Sequence, residues 1–341
     1  MLTGLISAAL APFTARAAIL LYHRVADLEF DPQLLCVKPK NFSRHLEYLQ
    51  SNFQVLSLQA LIGMLKQRKL PRRAVVITFD DGYADNLYNV KPLLKRYGMP
   101  ATVFVTTGQI GREREFWWDE LEKLLLQPGV LPRTISLDIK GKPHRWDTGE
   151  AAYYSKDDYK GNSRWNILSK DHPTTRHKIY DSLCGRMGFL STEDRSQVLD
   201  NLRKAAAAEP RARSTHNTLS ADEIVLLAGG GLVEIGSHGM THTRLSCCTL
   251  SEQKYEITKS KEQLEKILKY SVSSFSYPYG GPNDYKREAV AIARSAGFNC
   301  ACSSRSALSR QGSAFFQLPR ILVRDYTIEN FTHYLKECFR D

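Results

Sequence analysis

Two short apolar runs, far apart in the chain, each end in side chains of the kind that bind metal ions. The runs and their ends are Val75-Val76-Ile77-Thr78 before Phe79-Asp80-Asp81-Gly82, and Leu232-Val233-Glu234-Ile235-Gly236 before Ser237-His238-Gly239-Met240-Thr241-His242. Runs of this kind are typical of buried parallel strands. Because successive side chains on a strand point to opposite faces, Asp80 and Asp81 can serve one site only where the strand ends. Strand ends are also where α/β folds place their chemistry.

One acid and two imidazoles, each delivered by a strand end, form a candidate site for a divalent metal. Asp81, His238 and His242 would supply the ligands, and Asp80 would act as a base beside them. This set favours hydrolysis by a metal-activated water. Each signal alone is weak, since Asp-Asp-Gly is common in surface turns and a lone His is more often a hydrogen-bonded structural residue. Their occurrence together, after two strands, favours the metal site.

The same motifs resemble those of a known enzyme family. Three segments resemble the polysaccharide deacetylases with NodB homology, carbohydrate esterase family 4: Thr78-Phe79-Asp80-Asp81-Gly82, Ser237-His238-x3-His242 and, except at the Arg of Arg-x-Pro-x-Gly, Ser276-Tyr277-Pro278-Tyr279-Gly280. Leu20-Leu21-Tyr22-His23-Arg24-Val25 resembles the start of the bacterial exopolysaccharide branch. The resemblance covers about residues 18–108 and 218–325, with an unmatched stretch between them.

This resemblance implies a fold, an activity and several residue roles. The fold would be an irregular (β/α) barrel, and the activity would be hydrolysis of N-acetyl groups, with the metal ligands and the base already named. Tyr279 matches the position whose backbone N–H, with the metal, stabilises the oxyanion, and Pro278 and Gly280 would shape that substrate-binding loop. A Pro-Tyr-Gly turn without a catalytic role stays an alternative, because Pro and Gly mark turns in all proteins.

Two positions depart from the family pattern. The third-motif Arg, which pairs with the base in the family, is Ser276 here, and the late Leu-x-His motif, which usually supplies the general acid, is Leu318-Pro319-Arg320. We expect Arg320 to pair with Asp80 instead, because a guanidinium can hold a carboxylate through two hydrogen bonds and keep it ionised. His23, at the end of the first predicted strand, is the candidate acid. A purely structural hydrogen bond is an equally good interpretation of His23.

Strand and helix patterns alternate on both sides of a long irregular stretch. About seven strand–helix units predict an irregular (β/α) barrel of about seven parallel strands, in a single domain over residues 1–341. Over residues 109–219 the alternation stops, and three helical patterns predict a mostly helical insertion above the barrel: Phe116 to Leu126, Thr174 to Met187 and Thr192 to Ala208. Capping boxes at Ser220–Glu223 and Thr249–Glu252 predict helix starts where the alternation resumes. Aromatic side chains of the insertion could stack on sugar rings or pack a small core.

Composition indicates which partners the chain could bind and which cell compartment it occupies. The net charge is +11, but acidic and basic residues are interspersed, so we expect no nucleic-acid partner. An anionic glycan, a lipid phosphate or a membrane surface suits this charge equally well. Seven cysteines without a Cys-x2-Cys pair indicate buried thiols in a reducing compartment. Leu2 to Phe13 predicts a short amphipathic helix that packs on the domain or touches a membrane, and we expect a cytoplasmic, peripherally membrane-associated protein.

The sequence therefore favours a metal-dependent deacetylase that removes N-acetyl groups from amino sugars of a bacterial polysaccharide or its lipid-linked precursor. Zinc is the expected metal, and cobalt, nickel or manganese also suit an Asp-His-His set with waters. A non-catalytic carbohydrate-binding relative, an O-acetyl esterase and a two-carboxylate glycosidase stay as alternatives. The identity of the sugar, of the general acid and of the oligomer is left open.

Overall fold

The structure is a computed structural model that describes residues 15–340. The amphipathic helix expected at Leu2 to Phe13 lies outside the described residues. Within the described range, none of the helices combines the length and the apolar character needed to cross a membrane.

Strands and helices alternate along most of the described chain. The strands are β1 (Arg16–Tyr22), β2 (Arg24–Val25), β3 (Cys36–Val37), β4 (Gln54–Leu56), β5 (Arg73–Phe79), β6 (Ala101–Val105), β7 (Gly129–Val130), β8 (Thr134–Ile139), β9 (Lys142–Asp147), β10 (Tyr153–Tyr154), β11 (Val233–Ser237), β12 (Ser274–Ser276), β13 (Cys300–Cys302), β14 (Ser309–Arg310) and β15 (Ile321–Leu322). The helices are α1 (Pro39–Asn52), α2 (Leu58–Gln67), α3 (Lys91–Tyr97), α4 (Trp117–Leu126), α5 (Lys156–Asn162), α6 (Thr175–Met187), α7 (Thr192–Ala205), α8 (Ala221–Ala228), α9 (Leu250–Leu268), α10 (Arg287–Ser295) and α11 (Ile328–Phe339).

Seven parallel strands form a curled sheet in the order β13-β12-β11-β6-β5-β1-β15. Short β4 pairs with the first half of β5, and antiparallel β14 pairs with the start of β1. Beyond β13, the next segment joins through a single bridge between Cys302 and Leu318. The sheet therefore curls into a half-barrel, which is the irregular (β/α) barrel type that the sequence predicted.

The register of the strands brings their carboxyl ends to one edge. Tyr22 of β1 pairs with Phe79 of β5, which pairs with Val103 of β6, and Ser237 of β11 pairs with Val105. Six of the seven residues of β1 and of β5 are buried. Such continuous burial is expected for strands that carry helices on both faces of the sheet. The loops after these strands therefore share one mouth.

Local signals in the sequence explain where several helices begin. The capping boxes predicted at Ser220–Glu223 and Thr249–Glu252 are present at the starts of α8 and α9. The single helix expected over 86–97 is instead a π-helical turn at Asn86–Val90 followed by α3.

Residues between β6 and α8 build a second hydrophobic core. Side chains of α4, α6 and α7 pack around Leu121, Tyr180 and Leu199, and Phe30 and Tyr83 from the strand-end loops join them. This region contains the predicted helices, and it also contains the antiparallel hairpin β8–β9 and the short pair β7–β10, which the sequence did not predict. It lies beside the mouth of the sheet, where it can shape access to a site.

Candidate active site

The ends of β5 and β11 bring Asp81, His238 and His242 together. One ligand atom from each lies within 4.8 Å of the others. His242 Nε2 is 3.3 Å and His238 Nε2 is 3.6 Å from the same Asp81 oxygen, Oδ1. All three residues are buried, with at most 6% of their surface exposed. Two imidazole nitrogens that converge on one carboxylate oxygen are an arrangement suited to a single cation.

The protonation chemistry of these residues also fits a metal. His238 Nδ1 lies 2.8 Å from the backbone carbonyl of Ser276, which leaves Nε2 free to act as a ligand. Asp81 Oδ1 is buried without a hydrogen-bond partner among the described residues, a costly state for a carboxylate unless a cation satisfies it. Burial lowers the pKa of His238, and it lowers the pKa of His242 to about 3, so both imidazoles are neutral as metal ligands must be.

Three residues of the site have unusual backbone conformations. Asp81, His242 and Tyr279 have φ angles of 73°, 53° and 60°, in the left-handed region that residues other than glycine rarely adopt. The turn at Asp81 is fixed because Thr106 N–H donates to the Asp81 carbonyl across 3.2 Å. Strain of this kind persists where the surrounding structure imposes it, and it is concentrated at functional sites.

Arg320 holds Asp80, which is the contact that the sequence hypothesis assigned to it. Nη1 and Nη2 of Arg320 donate to the two carboxylate oxygens, each across 2.7 Å. Nη2 also donates to Ser276 Oγ across 2.7 Å. Ser276 stands where the family has the Arg of its third motif, so Arg320 reaches this position from another part of the chain. Burial disfavours the charged carboxylate, but Arg320, followed by His238, outweighs it and holds the pKa of Asp80 well below its usual range. Asp80 Oδ2 lies 3.6 Å from His238 Nε2, so an ionised carboxylate lies beside the candidate metal ligands.

A buried glutamate fixes the loop between the two histidines. Glu256 of α9 accepts hydrogen bonds from the backbone N–H groups of Met240 and Thr241 across 2.8 and 3.0 Å, and from Thr241 Oγ1 across 2.8 Å. Sequence reasoning missed Glu256, because a single acid on an otherwise ordinary helix carries no signal of a contact with a distant loop.

The turn after β12 places Tyr279 against the metal ligands. Its ring centre is 4.8 Å from that of His242. Gly280 follows with φ of 69°, and a Cβ there would lie 2.8 Å from Ser304 N, so the turn requires glycine. Gly280 N–H donates to the carbonyl of Pro278 across 2.7 Å. The predicted loop therefore lies at the site, and the part of the Tyr279 N–H in catalysis stays a prediction.

His23 follows β1 and lies close enough to Asp80 and Asp81 for the charges of both carboxylates to affect its pKa. Burial, the largest effect, lowers its pKa, and the charges of Asp81 and Asp80 partly counteract this. Asn86 Nδ2 donates to the His23 backbone carbonyl across 3.1 Å and fixes the loop. Burial thus disfavours the protonated form that a general acid needs, while the two carboxylates favour it, and the acid role stays a prediction.

Aromatic side chains of the insertion cover the site. The rings of Trp118 and Phe116 lie 4.9 and 6.1 Å from that of His242. Trp118 Nε1 donates to the Tyr83 hydroxyl across 2.9 Å, and that hydroxyl donates to Asp119 across 2.6 Å. The sequence predicted a helix here but not these contacts, because helical spacing alone does not show which face meets the barrel.

The family follows from a comparison with known proteins. The family model described as "Polysaccharide deacetylase" matches residues 67–130 and 196–301, the two segments that contain Asp81, His238 and His242. The chain belongs to the polysaccharide deacetylase family. Residues 131–195 of the chain, which form most of the insertion, lie between the two matched segments.

Curated relatives match the chain over part of their length. The Bacillus subtilis protein YxkH is 34% identical over 126 residues, which are 36% of this chain and 43% of the relative. A Staphylococcus aureus poly-beta-1,6-N-acetyl-D-glucosamine N-deacetylase is 34% identical over 88 residues, 26% of this chain and 30% of the relative. The chain thus spans less than half the length of these relatives.

Solved structures share the fold over nearly the whole chain. The deacetylase PplD of Streptococcus pyogenes, solved with acetate, has a TM-score of 0.58 at 16% identity and covers 96% of this chain and 100% of its own. IcaB of Ammonifex degensii has a TM-score of 0.57 at 16% identity and covers 96% and 98%. At such identities the likeness shows the fold alone.

Proposed function

We propose that this protein is a metal-dependent deacetylase that hydrolyses the N-acetyl groups of amino sugars in a bacterial polysaccharide or its lipid-linked precursor. The observation that carries the proposal is the convergence of the Asp81, His238 and His242 ligand atoms within 4.8 Å, next to the ionised Asp80. Family membership supports hydrolysis of a polysaccharide substituent, and the S. aureus relative is named for a poly-N-acetylglucosamine.

Each group of the site has a separate task in this reaction. A bound divalent metal, zinc or alternatively cobalt, nickel or manganese, would polarise the acetyl carbonyl and acidify a water. Asp80 takes a proton from the attacking water, and Arg320 keeps it charged at neutral pH. Tyr279 N–H would donate to the developing oxyanion, and Pro278 and Gly280 shape the loop that presents it. His23 is the candidate donor of a proton to the leaving amine.

The first experiment measures acetate release by the purified full chain from N-acetylated glucosamine oligomers and from poly-β-1,6-N-acetylglucosamine. We expect a chelator to abolish release and added Zn²⁺ to restore it. Asp80→Asn should lower kcat by roughly 10²–10⁴-fold, the usual contribution of a general base, while metal content stays unchanged. Exposed Asp157→Asn in the insertion is the matched control and should keep native activity.

The alternatives give different products in the same assay. Acetate from an O-acetylated but not an N-acetylated sugar would identify an esterase, and new reducing ends without acetate would identify a glycosidase. Sugar binding without any product would identify a carbohydrate-binding relative. Activity that survives complete metal removal would reject the proposal.

A cytoplasmic location with contact to a membrane surface is also part of the proposal. All seven cysteines lie in the described range and are free thiols, which agrees with a reducing compartment. Fractionation of cells into soluble and membrane parts, followed by detection of the chain, tests the location.

A further inference from the structure

Three buried polar atoms that have no hydrogen-bond partner among the described residues lie close together, beside the candidate metal ligands. They are Nε of Arg195, Nε1 of Trp117 and the hydroxyl oxygen of Tyr279. Trp117 and Arg195 come from α4 and α7 of the insertion, and Tyr279 comes from the loop after β12. Native proteins satisfy nearly all buried polar groups, so three unsatisfied ones in one place indicate that something else binds there.

Contacts between these residues show that they form one cluster. The Arg195 guanidinium lies 5.5 Å from the centre of the Trp117 ring. Burial raises the pKa of Tyr279 and lowers the pKa of His242, and the charge of Arg195 opposes the first shift and adds to the second, so Arg195 acts on both residues. Trp117 Nε1 lies near the Tyr279 hydroxyl, although neither atom has a hydrogen bond of normal geometry. Because Tyr279 packs on His242, the cluster adjoins the metal ligands.

Arg195 is the informative member, because it is a buried cation that forms no ion pair with a carboxylate among the described residues; Glu256 is the acid whose charge acts on it. Only 4% of its surface is exposed, and its one hydrogen bond among the described residues is from Nη2 to the Leu190 carbonyl, across 3.2 Å. Glu256 is already engaged, because it accepts hydrogen bonds from the backbone N–H groups of Met240 and Thr241. Burying an unpaired charge costs several kcal/mol, which is a reason to expect an anion there when ligand is bound.

The chemistry of the cluster favours an anion over a neutral group. Trp117 Nε1 and Arg195 Nε can only donate hydrogen bonds, and the Tyr279 hydroxyl can donate as well. A second guanidinium, that of Arg244, lies 4.0 Å from the centre of the Tyr279 ring and adds positive charge. A set of hydrogen-bond donors with positive charge matches the oxygens of a carboxylate or a phosphate.

We propose that Arg195, Trp117 and Tyr279 form a subsite for a negatively charged substituent, a carboxylate or a phosphate, of the glycan whose N-acetyl group is at the metal. The inference rests on the proposed function in placing the N-acetylated sugar at the metal ligands. It narrows the substrate class to acetylated glycans with an acidic or phosphorylated unit near the reacting one, and it gives the insertion a part in selecting them.

Calorimetric titration of the full chain tests the subsite apart from catalysis. The chain is titrated with its metal and again after chelation, so that binding of the anion to the metal is distinguished from binding to the subsite. The probes are N-acetylglucosamine, its 6-phosphate, its C6-carboxylate and its 1-phosphate. We expect at least one anionic sugar to bind about tenfold or more tightly than N-acetylglucosamine in both states, since a charge-assisted hydrogen bond contributes on that scale.

Substitutions test whether the preference for anionic sugars comes from the cluster of Arg195, Trp117 and Tyr279. Arg195→Gln should reduce the preference for the anionic sugar over N-acetylglucosamine to less than about twofold. Trp117→Phe keeps the ring and removes only the N–H, so it should weaken the preference in part, and it serves as the second test if Arg195→Gln does not fold. Arg203→Gln, on the same helix but paired with Glu120 and Asp200, is the matched control and should keep the preference.

Several results would overturn the subsite. They are equal affinity for neutral and anionic sugars in the native chain, a preference that survives in Arg195→Gln, and binding of inorganic phosphate or acetate alone as tight as that of the anionic sugar. The last result would mean that the cluster takes a free anion or the product and not a substituent. Binding of an anionic sugar that depends on Arg195, without any acetate release, would keep the subsite and reject the deacetylase.

Discussion

At the scale of single residues, the base is supported by an arginine from an unexpected place in the chain. Arg320 lies just before β15, and it reaches the space left by the small side chain of Ser276. Its two hydrogen bonds to Asp80 oppose the effect of burial, which would otherwise favour a protonated carboxyl. The charge of the base therefore depends on one guanidinium.

Arg320→Gln should move the acidic limb of the kcat/KM profile to higher pH. Without the guanidinium, burial is less strongly opposed, the pKa of Asp80 rises, and activity is lost as pH falls through that raised value. The buried charge left unpaired should also destabilise the fold by about 3–5 kcal/mol. Arg320→Lys keeps a charge but not the paired hydrogen bonds, so its profile should be intermediate. A profile identical to the native one in both variants contradicts the role.

His23 can be tested by varying the leaving group. His23→Gln should lower kcat for an N-acetyl sugar by roughly 10²-fold or more if it protonates the leaving amine. Hydrolysis of p-nitrophenyl acetate should change little, because a phenolate leaves without that proton. Exposed His333→Gln is the matched control. Equal losses on both substrates would mean that His23 has a structural role.

At the scale of elements, one arginine ties the insertion together. Arg176 of α6 is buried and donates to five backbone carbonyls, those of Leu125, Gln127, Gly129, Ala151 and Ala152. These carbonyls belong to the end of α4, to β7 and to the turn before β10. A planar guanidinium with five N–H groups suits this task, and a single ammonium does not.

Arg176→Lys should therefore destabilise the protein by at least about 3 kcal/mol, because several buried carbonyls lose their donors at roughly 1–3 kcal/mol each. Hydrogen exchange should speed up first around residues 125–152 and leave β5 and β11 protected. Arg186→Lys, on the exposed face of the same helix, should change neither quantity. Uniform loss of protection across the chain would show that the insertion does not open by itself.

Sequence patterns predicted the elements whose signals are local. Strands β5 and β11 followed from β-branched runs, and α8 and α9 followed from capping boxes. The hairpin β8–β9 was not predicted, because Pro143 and the mixed polar residues of β9 obscure the alternation of apolar and polar residues that is typical of a strand. The sequence pointed to Asp81, His238 and His242, which the fold brings together, because motifs mark them. It did not point to Glu256 and Arg195, since their importance comes from contacts between distant segments.

At the scale of the whole molecule, two hydrophobic cores meet at the site. Each core contains a fully buried histidine: His45 lies against Phe331 in the barrel, and His177 lies against Trp165 in the insertion. Burial lowers the pKa of each to about 4. Both cores therefore contain a base that is neutral when folded and takes up a proton more readily when unfolded.

Stability should fall on acidification between about pH 6.5 and pH 4. A histidine whose pKa is depressed in the folded state contributes fully above its unfolded value near 6.5, and that contribution is lost as pH falls toward the folded value. For His45 the loss amounts to about 3 kcal/mol at most. Urea titrations at stepped pH measure it: His45→Gln should flatten the decline, and His333→Gln should leave it unchanged. A native chain with constant stability over this range would contradict the prediction.

The near-complete enclosure of the three ligands has a kinetic consequence. We expect a glycan chain to reach these buried side chains only when the Trp118 and Phe116 rings, whose centres lie 4.9 and 6.1 Å from that of His242, move aside. Turnover can then be no faster than this movement, even if bond cleavage is quick. The turnover rate of small esters, which can pass the rings, would then measure bond cleavage. The turnover rate of long polymers would measure the movement of the rings.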